Sequence, residues 1–393
     1  MIEQDVNKPR FFEFFAGGGM ARAGLGDGWE CAFANDFDPM KGVVYAANWG
    51  VDHLRIADIN ELTTADLPGY ADLVWASFPC QDLSLAGNAL GLGTEDAQTR
   101  SGAFWAFWRL MLALQAEGRA PALIVLENVY GVLTANGGRD FALIGRCLAL
   151  AGYTFGAMLI DGVQFVPQSR PRVFIVAARV DVRWPEARVA DGPSTDWHPP
   201  AMSSAICRLA EVDADQWRWL GLPNPPPCRK RLSDLIDDQP SGVEWHSPQQ
   251  TARLIGMMSD VSLRRLAAMR AGRIRTVGTI YRRTRPDAAG RKVQRAELRD
   301  DDVSGCLRTP GGGSSRQIVV VVEGDTVRSR LLSPREAARL MGLPDNYILP
   351  TRYNDAYHVA GDGLVVPAVR YLAANLLEPA LATATAGYAI AAE

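Results

Sequence analysis

Short apolar runs alternate with amphipathic stretches along the first 180 residues. Residues 11–15, 31–36, 71–77, 123–127, 154–160 and 172–178 read as strands, each a short apolar run bounded by polar or Gly-containing segments. Between them, Phe104, Phe107, Trp108, Met111 and Leu112 follow the i, i+3, i+4, i+7, i+8 spacing of one helix face, and Gly118 and Pro121 stop that helix. Phe141, Ile144 and Leu148 form a second stripe ahead of Gly152. Strand–helix alternation of this kind predicts an α/β fold with a parallel, doubly wound sheet.

Near residue 180 the pattern breaks. From Trp184 to about Asp325 there are Pro-rich patches (Pro199-Pro200, Pro225-Pro226-Pro227), Arg clusters and few clear strands, and residues 310–315 read as a loop. Ser333-Pro334-Arg335-Glu336 is then a capping box with Pro at the first helical position, closed by Gly342 and Pro344, and a last apolar helix covers roughly 367–377. The expected organisation is an α/β domain of residues 1–179 and 328–393, interrupted by a smaller, irregular domain of residues 180–327.

Composition narrows the class. With 48% hydrophobic and 22% charged residues in 393, the chain is an ordinary globular protein, not a disordered, collagen-like or disulfide-stapled one. It has no uninterrupted apolar run of about 18 residues, and its N-terminus, MIEQDVNKPR, lacks the apolar core of a secretory signal. A cytoplasmic protein without a membrane partner is expected. Six cysteines at 31, 80, 147, 207, 228 and 306 form no CxxC pair, which predicts reduced thiols and no metal. Charge is unevenly distributed: the net is −3, yet residues 253–299 carry 13 basic and three acidic side chains. A local field of that sign suits a phosphate backbone.

Several positions carry chemistry. Phe15-Ala16-Gly17-Gly18-Gly19 follows the first strand, where glycines let a backbone approach a ligand, although a tight turn alone explains them equally. Asp36 ends the next strand, placed to accept hydrogen bonds from ribose hydroxyls, and Asp58-Ile59 can hold an adenine by its amino group and one face. Together these imply an adenosine-containing cofactor, a dinucleotide or S-adenosylmethionine. Cys80 follows the strand at 71–77 directly through Phe78-Pro79, beyond a strand carboxyl end, where reactive groups sit in open α/β sheets. Its thiolate is a strong nucleophile. Glu127-Asn128-Val129 brings a carboxylate to the same edge, and Gln168-Ser169-Arg170-Pro171-Arg172 presents two guanidinium forks.

In order and spacing these segments resemble the cytosine-C5 DNA methyltransferase family of bacterial type. The resemblance rests on the FAGGG segment, Asn35-Asp36, Asp58-Ile59, Phe78-Pro79-Cys80-Gln81, Thr99-Arg100, Glu127-Asn128-Val129, residues 168–172, Arg330-Leu331-Leu332-Ser333-Pro334-Arg335-Glu336 and Gly361-Asp362-Gly363. It covers residues 11–179 and 328–377, and residues 180–327 fall where that family keeps a target-recognition domain. It implies a Rossmann-like methyltransferase domain using S-adenosylmethionine, held by Phe15, Gly17, Gly19, Asp36, Phe37, Asp58, Ile59, Pro79 and Asp362. It further implies that Cys80 attacks carbon 6 of a cytosine flipped out of the duplex, that Glu127 holds N3 and the exocyclic amine, and that Arg172 and Arg170 bind the base from the other side. Contacts to double-stranded DNA are expected from Gln81, Gln168, Arg282, Arg283, Arg285, Arg308 and Arg316. A monomer is expected, with a cognate restriction endonuclease as its companion.

The chain departs from the family pattern at Gly19-Met20, where a second Gly is usual, at Ser77, where a Gly is usual, and at Asp362, where an Asn is usual. Asp362 reads either as a charge near the donor or as a cap of the loop between Gly361 and Gly363. Three other readings remain. An RNA (tRNA) cytosine methyltransferase shares the chemistry. An inactive DNA-binding protein would need Cys80 or Glu127 replaced. A nicotinamide oxidoreductase leaves Cys80, Glu127 and both arginines unexplained.

Overall fold

The computed structural model describes residues 8–79, 102–272, 274–287, 290–309 and 316–383. It divides into two compact units. Unit 1 comprises residues 1–160, 171–225 and 368–393; unit 2 comprises residues 161–170 and 226–367.

Unit 1 is built on strands β1 (Arg10–Phe14), β2 (Glu30–Asp36), β3 (Leu54–Ile56), β4 (Leu73–Ala76), β5 (Leu123–Val129), β6 (Tyr153–Asp161) and β7 (Pro171–Arg179). They form one sheet in the order β3-β2-β1-β4-β5-β7-β6. The first five are parallel, while β7 runs antiparallel to β5, where the alternation predicts a parallel sheet throughout. Only residues 162–170 join neighbouring β6 and β7. That is too few for the crossover a parallel pair needs. Helices α1 (Met20–Leu25), α2 (Pro39–Trp49), α3 (Gly102–Ala116) and α4 (Arg139–Leu150) connect or flank the strands. Phe104, Phe107, Trp108 and Met111 of α3 are buried as their spacing predicts, and Phe14 meets Phe107 edge-on at 5.4 Å. Leu112 instead is exposed, and Leu110 and Leu114 complete the buried face.

Strand order reverses between β1 and β4: β2 and β3 lie to one side, β4's neighbour β5 to the other. Ligands of open α/β sheets bind beyond the carboxyl ends of the strands at such a reversal. The register puts Phe14 opposite both Asn35 and Ala76, and Ala76 opposite Leu126, so these ends are level. Unit 1 continues through a small antiparallel pair, β8 (Val189–Ala190) with β9 (Trp219–Leu220), and helices α5 (Pro200–Ile206) and α6 (Glu211–Ala214).

Unit 2 contains more regular structure than its composition suggests. After α7 (Leu232–Leu235), α8 (Pro248–Gly256) and α9 (Asp260–Ala271), strands β10 (Thr276–Pro286), β11 (Lys292–Arg299), β12 (Ile318–Glu323) and β13 (Thr326–Leu331) form an antiparallel sheet in the order β11-β10-β12-β13. Leu254, Leu266 and Met269 from the helices, with Met258 between them, share a core with Ile280, Leu298, Ile318 and Val320. Then follow α10 (Pro334–Leu340), capped by Ser333 as predicted, α11 (Tyr353–Asp362) and α12 (Val366–Leu372). The stretch Tyr353–Thr383 has the length and apolarity of a membrane span, but 56% of its apolar window is buried, and Gly363–Val365 break its helix. The unit boundaries differ from the expected domains: residues 180–225 fall in unit 1, and residues 328–367 in unit 2.

Candidate active site

β1 ends in a sharp turn. Phe15 adopts φ 57°, a left-handed conformation that is rare for an aromatic residue and costs about 1–3 kcal/mol. Neighbouring hydrogen bonds impose it: Ala16 N–H donates to the Asn35 carbonyl at 2.9 Å, and Gly17 N–H donates to Asp36 Oδ2 at 2.8 Å. Gly17 also has positive φ, and a Cβ added there would meet open space. Gly19 is different. A Cβ there would fall 2.4 Å from Trp49 Nε1 and 2.9 Å from the Tyr45 ring, so this glycine lets α2 pack against the turn. Trp49 Nε1–H donates to the Gly18 carbonyl at 3.0 Å from the same side.

Asp36 is buried, and burial raises its pKa against the opposing pull of Lys41 and of two N–H groups. Those N–H groups belong to Gly17 and, at 2.9 Å to Oδ1, Asp38. A carboxylate oxygen has two lone pairs, so acceptor capacity for hydroxyl groups remains. Phe37, next along, is 68% exposed, an aromatic face open to a ligand. Asn35 donates its amide to the carbonyls of Arg55 and Ala57 at 2.9 and 3.0 Å, fixing the exit of β3. That exit leads to exposed Asp58, which accepts from Asn60 N–H and Nδ2, both at 2.9 Å. Ile59 lies in the hydrophobic core with Leu62 and Leu67.

Beyond β4, the Phe78 ring is buried 5.4 Å from that of Phe104, and Asn128 Nδ2 reaches the Phe78 carbonyl at 3.5 Å. Both contacts direct the chain through half-buried Pro79 toward Cys80. Cys80 and Gln81, with Thr99 and Arg100, lie outside the described residues. Val129 pairs with Arg172 across β5 and β7, which places Glu127, two residues back, on the same face. Arg172 Nε lies 3.1 Å from Glu127 Oε1, and both side chains are mostly buried. The expected carboxylate and one of the two expected guanidiniums therefore form a single oriented pair.

In unit 2 the structure corrects two expectations. Gln168 is fully buried: Nε2 donates to the Leu340 carbonyl at 2.7 Å, and Oε1 accepts from Leu307 N–H at 3.0 Å, so it is not offered to DNA. Arg170 is not offered to a base either. Its guanidinium is buried and donates to the carbonyls of Leu307, Gly361 and Gly363 at 2.9, 2.8 and 2.6 Å, which makes it a strut between backbone segments. Asp362 is exposed and accepts from the Thr309 hydroxyl. Arg308 is exposed, whereas Arg316 donates to Asn354 Oδ1 at 2.5 Å and lies over the Tyr353 ring. On β10, Arg283 and Arg285 share one face and one counter-charge, Glu297 of β11, at 3.3 and 2.8 Å. Arg282 faces the other way, opposite Ala296.

Comparison with known proteins decides the family. The family model described as C-5 cytosine-specific DNA methylase matches residues 9–378. The chain belongs to that family. It is 25% identical over 374 residues to the type II methyltransferase M.NlaX of Neisseria lactamica, covering 93% of this chain and 96% of that one. It is 27% identical to M.NgoBI of Neisseria gonorrhoeae, covering 91% and 89%. Among solved structures, the Entamoeba histolytica methyltransferase EhMeth superposes with a TM-score of 0.60 at 14% identity, covering 93% of this chain and 96% of that one, a likeness of fold. As a C-5 cytosine-specific DNA methylase the chain is an enzyme, and the family implies S-adenosylmethionine as its methyl donor.

The residues at the β1–β2–β3 edge fit such a donor. They combine an open turn at Gly17, a carboxylate with remaining acceptor capacity at Asp36 and an exposed ring at Phe37. Among the described residues no cluster of His, Cys, Asp and Glu could hold a metal ion. Two features of this methylase are not legible in its motifs. Asn128 ties the end of β5 to the loop after β4. Glu13, a lone acid in the strand RFFEF, is buried beneath the glycine turn.

Proposed function

We propose that this methylase methylates carbon 5 of a cytosine flipped from duplex DNA, through a covalent bond between Cys80 and carbon 6. The observation that carries the reading is the Glu127–Arg172 pair, fixed at the carboxyl edge of the sheet beside the loop leading into Cys80. Phe15, Gly17, Asp36, Phe37 and Asp58 would hold the donor. When bound, S-adenosylmethionine supplies an electrophilic methyl group on a sulfonium. An aromatic C5 is a poor nucleophile, so the chain must raise its electron density. The Cys80 thiolate adds to C6, forming the S–C6 bond and shifting the ring electrons toward C5 and the pyrimidine carbonyl. Glu127, held in place by Arg172, engages N3 and the exocyclic amine, where charge changes as the adduct forms. Once C5 carries its new substituent, the C5 proton leaves to base, the S–C6 bond breaks and aromaticity returns. Lifting the base from the stack costs a few kcal/mol, which pocket contacts offset.

Bisulfite sequencing of DNA from cells expressing the chain tests the reading. Cytosines within one short sequence context should resist conversion. Methylated cytosine appearing in cellular RNA and absent from DNA would overturn the choice of substrate.

DNA is proposed to meet unit 2 at the β10–β11 ribbon. Among the described residues, β10 beyond Ile280 pairs only with β11, leaving a two-stranded ribbon that bears Arg282, Arg283, Arg285, Lys292 and Arg295. Each phosphate contact contributes about 0.9 to the log–log slope of affinity against salt. Replacing Arg282, Arg283 and Arg285 by Ala should reduce that slope by about two to three units, similarly for every DNA sequence. Titrations at several salt concentrations read this directly, and an unchanged slope would leave all three as solvated surface groups, Arg283 and Arg285 paired with Glu297.

A further inference from the structure

The turn at residues 15–19 follows a path that its own residues do not select. Phe15, Gly17 and Gly19 take positive φ, at 57°, 56° and 77°. The glycines permit that path without preferring it, so hydrogen bonds from outside must choose it. β2 supplies two, the Asn35 carbonyl and the Asp36 carboxylate, which accept from Ala16 and Gly17 N–H. Both act on the first half of the turn.

The second half is held from α2. Trp49, the last residue of that helix, donates its indole Nε1–H to the Gly18 carbonyl at 3.0 Å. The other end of the same peptide unit is engaged too, because Gly19 N–H donates to the Ala16 carbonyl at 2.8 Å. With its C=O and its N–H both bonded, that peptide plane cannot rotate without breaking one of them. The indole is itself fixed. Half-buried Trp49 fills the space at Gly19, where an added Cβ would fall 2.4 Å from Nε1 and 2.6 Å from Cδ1. The Arg22 guanidinium lies over the indole at 5.2 Å, an attractive contact, and Nη1 donates to the Tyr45 hydroxyl at 3.4 Å. Gly18 is buried, which raises the cost of removing a donor from its carbonyl.

We infer that Trp49 is a positioning residue of the donor site, its indole N–H fixing the Gly18–Gly19 peptide and, through it, the path of the turn. The inference rests on the reading of this turn as the donor site. A phenylalanine at position 49 would also pack against Gly19, so the N–H is what tryptophan adds. Its effect falls on the donor and not on DNA, because the bond ends on the turn beside Asp36.

Two replacements in the full chain divide the side chain into its parts. Trp49→Phe keeps an aromatic ring and loses the N–H. Trp49→His loses the benzene ring but keeps a five-membered ring whose Nε2–H falls where the indole Nε1–H was. Calorimetry with S-adenosylmethionine and steady-state kinetics on unmethylated genomic DNA read both. Loss of one hydrogen bond should raise donor Kd and donor KM by about fivefold in Trp49→Phe, with kcat and the KM for DNA unchanged. Trp49→His should stay close to the wild type. Wild-type donor binding by Trp49→Phe would overturn the proposal. So would Trp49→His binding the donor more weakly than Trp49→Phe, because packing would then account for Trp49. A fall in kcat with donor KM unchanged would overturn it as well. Each variant is judged against the wild type, so either decides if the other does not fold. Asp36→Ala in the same series separates the two levels. If it binds the donor like wild type, the donor-site reading falls and this inference with it. If it weakens binding while Trp49→Phe does not, only the role of Trp49 falls.

Discussion

Cys80→Ser is expected to lower methyl transfer by about 10⁴-fold or more, the range in which removal of a covalent nucleophile falls, while DNA binding stays largely intact. A free thiol has a pKa of about 8.5 and supplies some thiolate at neutral pH, whereas an unassisted serine hydroxyl supplies almost none. Nothing else in the described site replaces it. Glu127 and Arg172 are engaged with each other, and Cys147 and Cys31 are held neutral by burial. A duplex carrying 5-fluorocytosine should be trapped covalently by the wild type and not by Cys80→Ser, because fluorine cannot leave C5 as a proton does and the S–C6 bond therefore persists. Glu127→Gln should retain binding and lose about 10²- to 10⁴-fold in kcat, the usual contribution of a positioned acid or base. A fully active Cys80→Ser enzyme would end the covalent reading whatever Glu127 does.

What the sequence makes legible follows from how each feature is buried. Strands of a sheet covered on both faces must be continuous apolar runs, so β1, β2, β4, β5, β6 and β7 stand out to within one or two residues. The turn is legible through its glycines, of which Gly17 does take positive φ, whereas the left-handed conformation of Phe15 leaves no mark in the sequence. Direction of side chains is not. Gln168 and Arg170 look like surface groups in a polar segment, yet both are buried and engage backbone groups of unit 2. In β10 and β11 the distal strands are exposed on both faces, so arginines occupy positions of both parities and no period-two signal survives. The compact units escape a reading based on charge for a related reason. Charge reports which surface a segment presents, whereas the division at residues 161–170 and 226–367 reports where backbone packs.

Removing Glu336 is expected to destabilise the chain by about 3–5 kcal/mol, the cost of leaving one partner of a buried ion pair alone. Read from sequence, Glu336 is the last residue of a capping box, and it does accept the Ser333 N–H at 2.8 Å. It is also the partner of Arg330. Both side chains are fully buried, and the two guanidinium nitrogens Nη1 and Nη2 donate to Oε2 and Oε1 at 2.8 and 2.6 Å. Asp237 adds two further bonds, its N–H donating to Glu336 at 2.8 Å and its carbonyl accepting from Arg330 at 2.7 Å, and the Leu331 carbonyl accepts from Arg330 Nη1 at 3.1 Å. Trp245 covers the guanidinium at 4.9 Å. One pair thus joins β13, α10 and the segment after α7. Glu336→Ala strands the Arg330 charge in that interior; Glu336→Gln keeps the shape but not the charge and should fall between. The double replacement Arg330→Met with Glu336→Leu removes both charges and should recover most of the loss, because desolvating a buried pair costs nearly what its attraction returns. Urea unfolding of the four proteins reads these differences, with salt as a control. Exposed arginines such as Arg283 and Arg285 respond to screening, and a pair with no solvent access should not. If Glu336→Ala unfolds at the wild-type midpoint, the pair contributes only a helix cap, and the arrangement around Arg330 must be held by Trp245 and the backbone of Asp237.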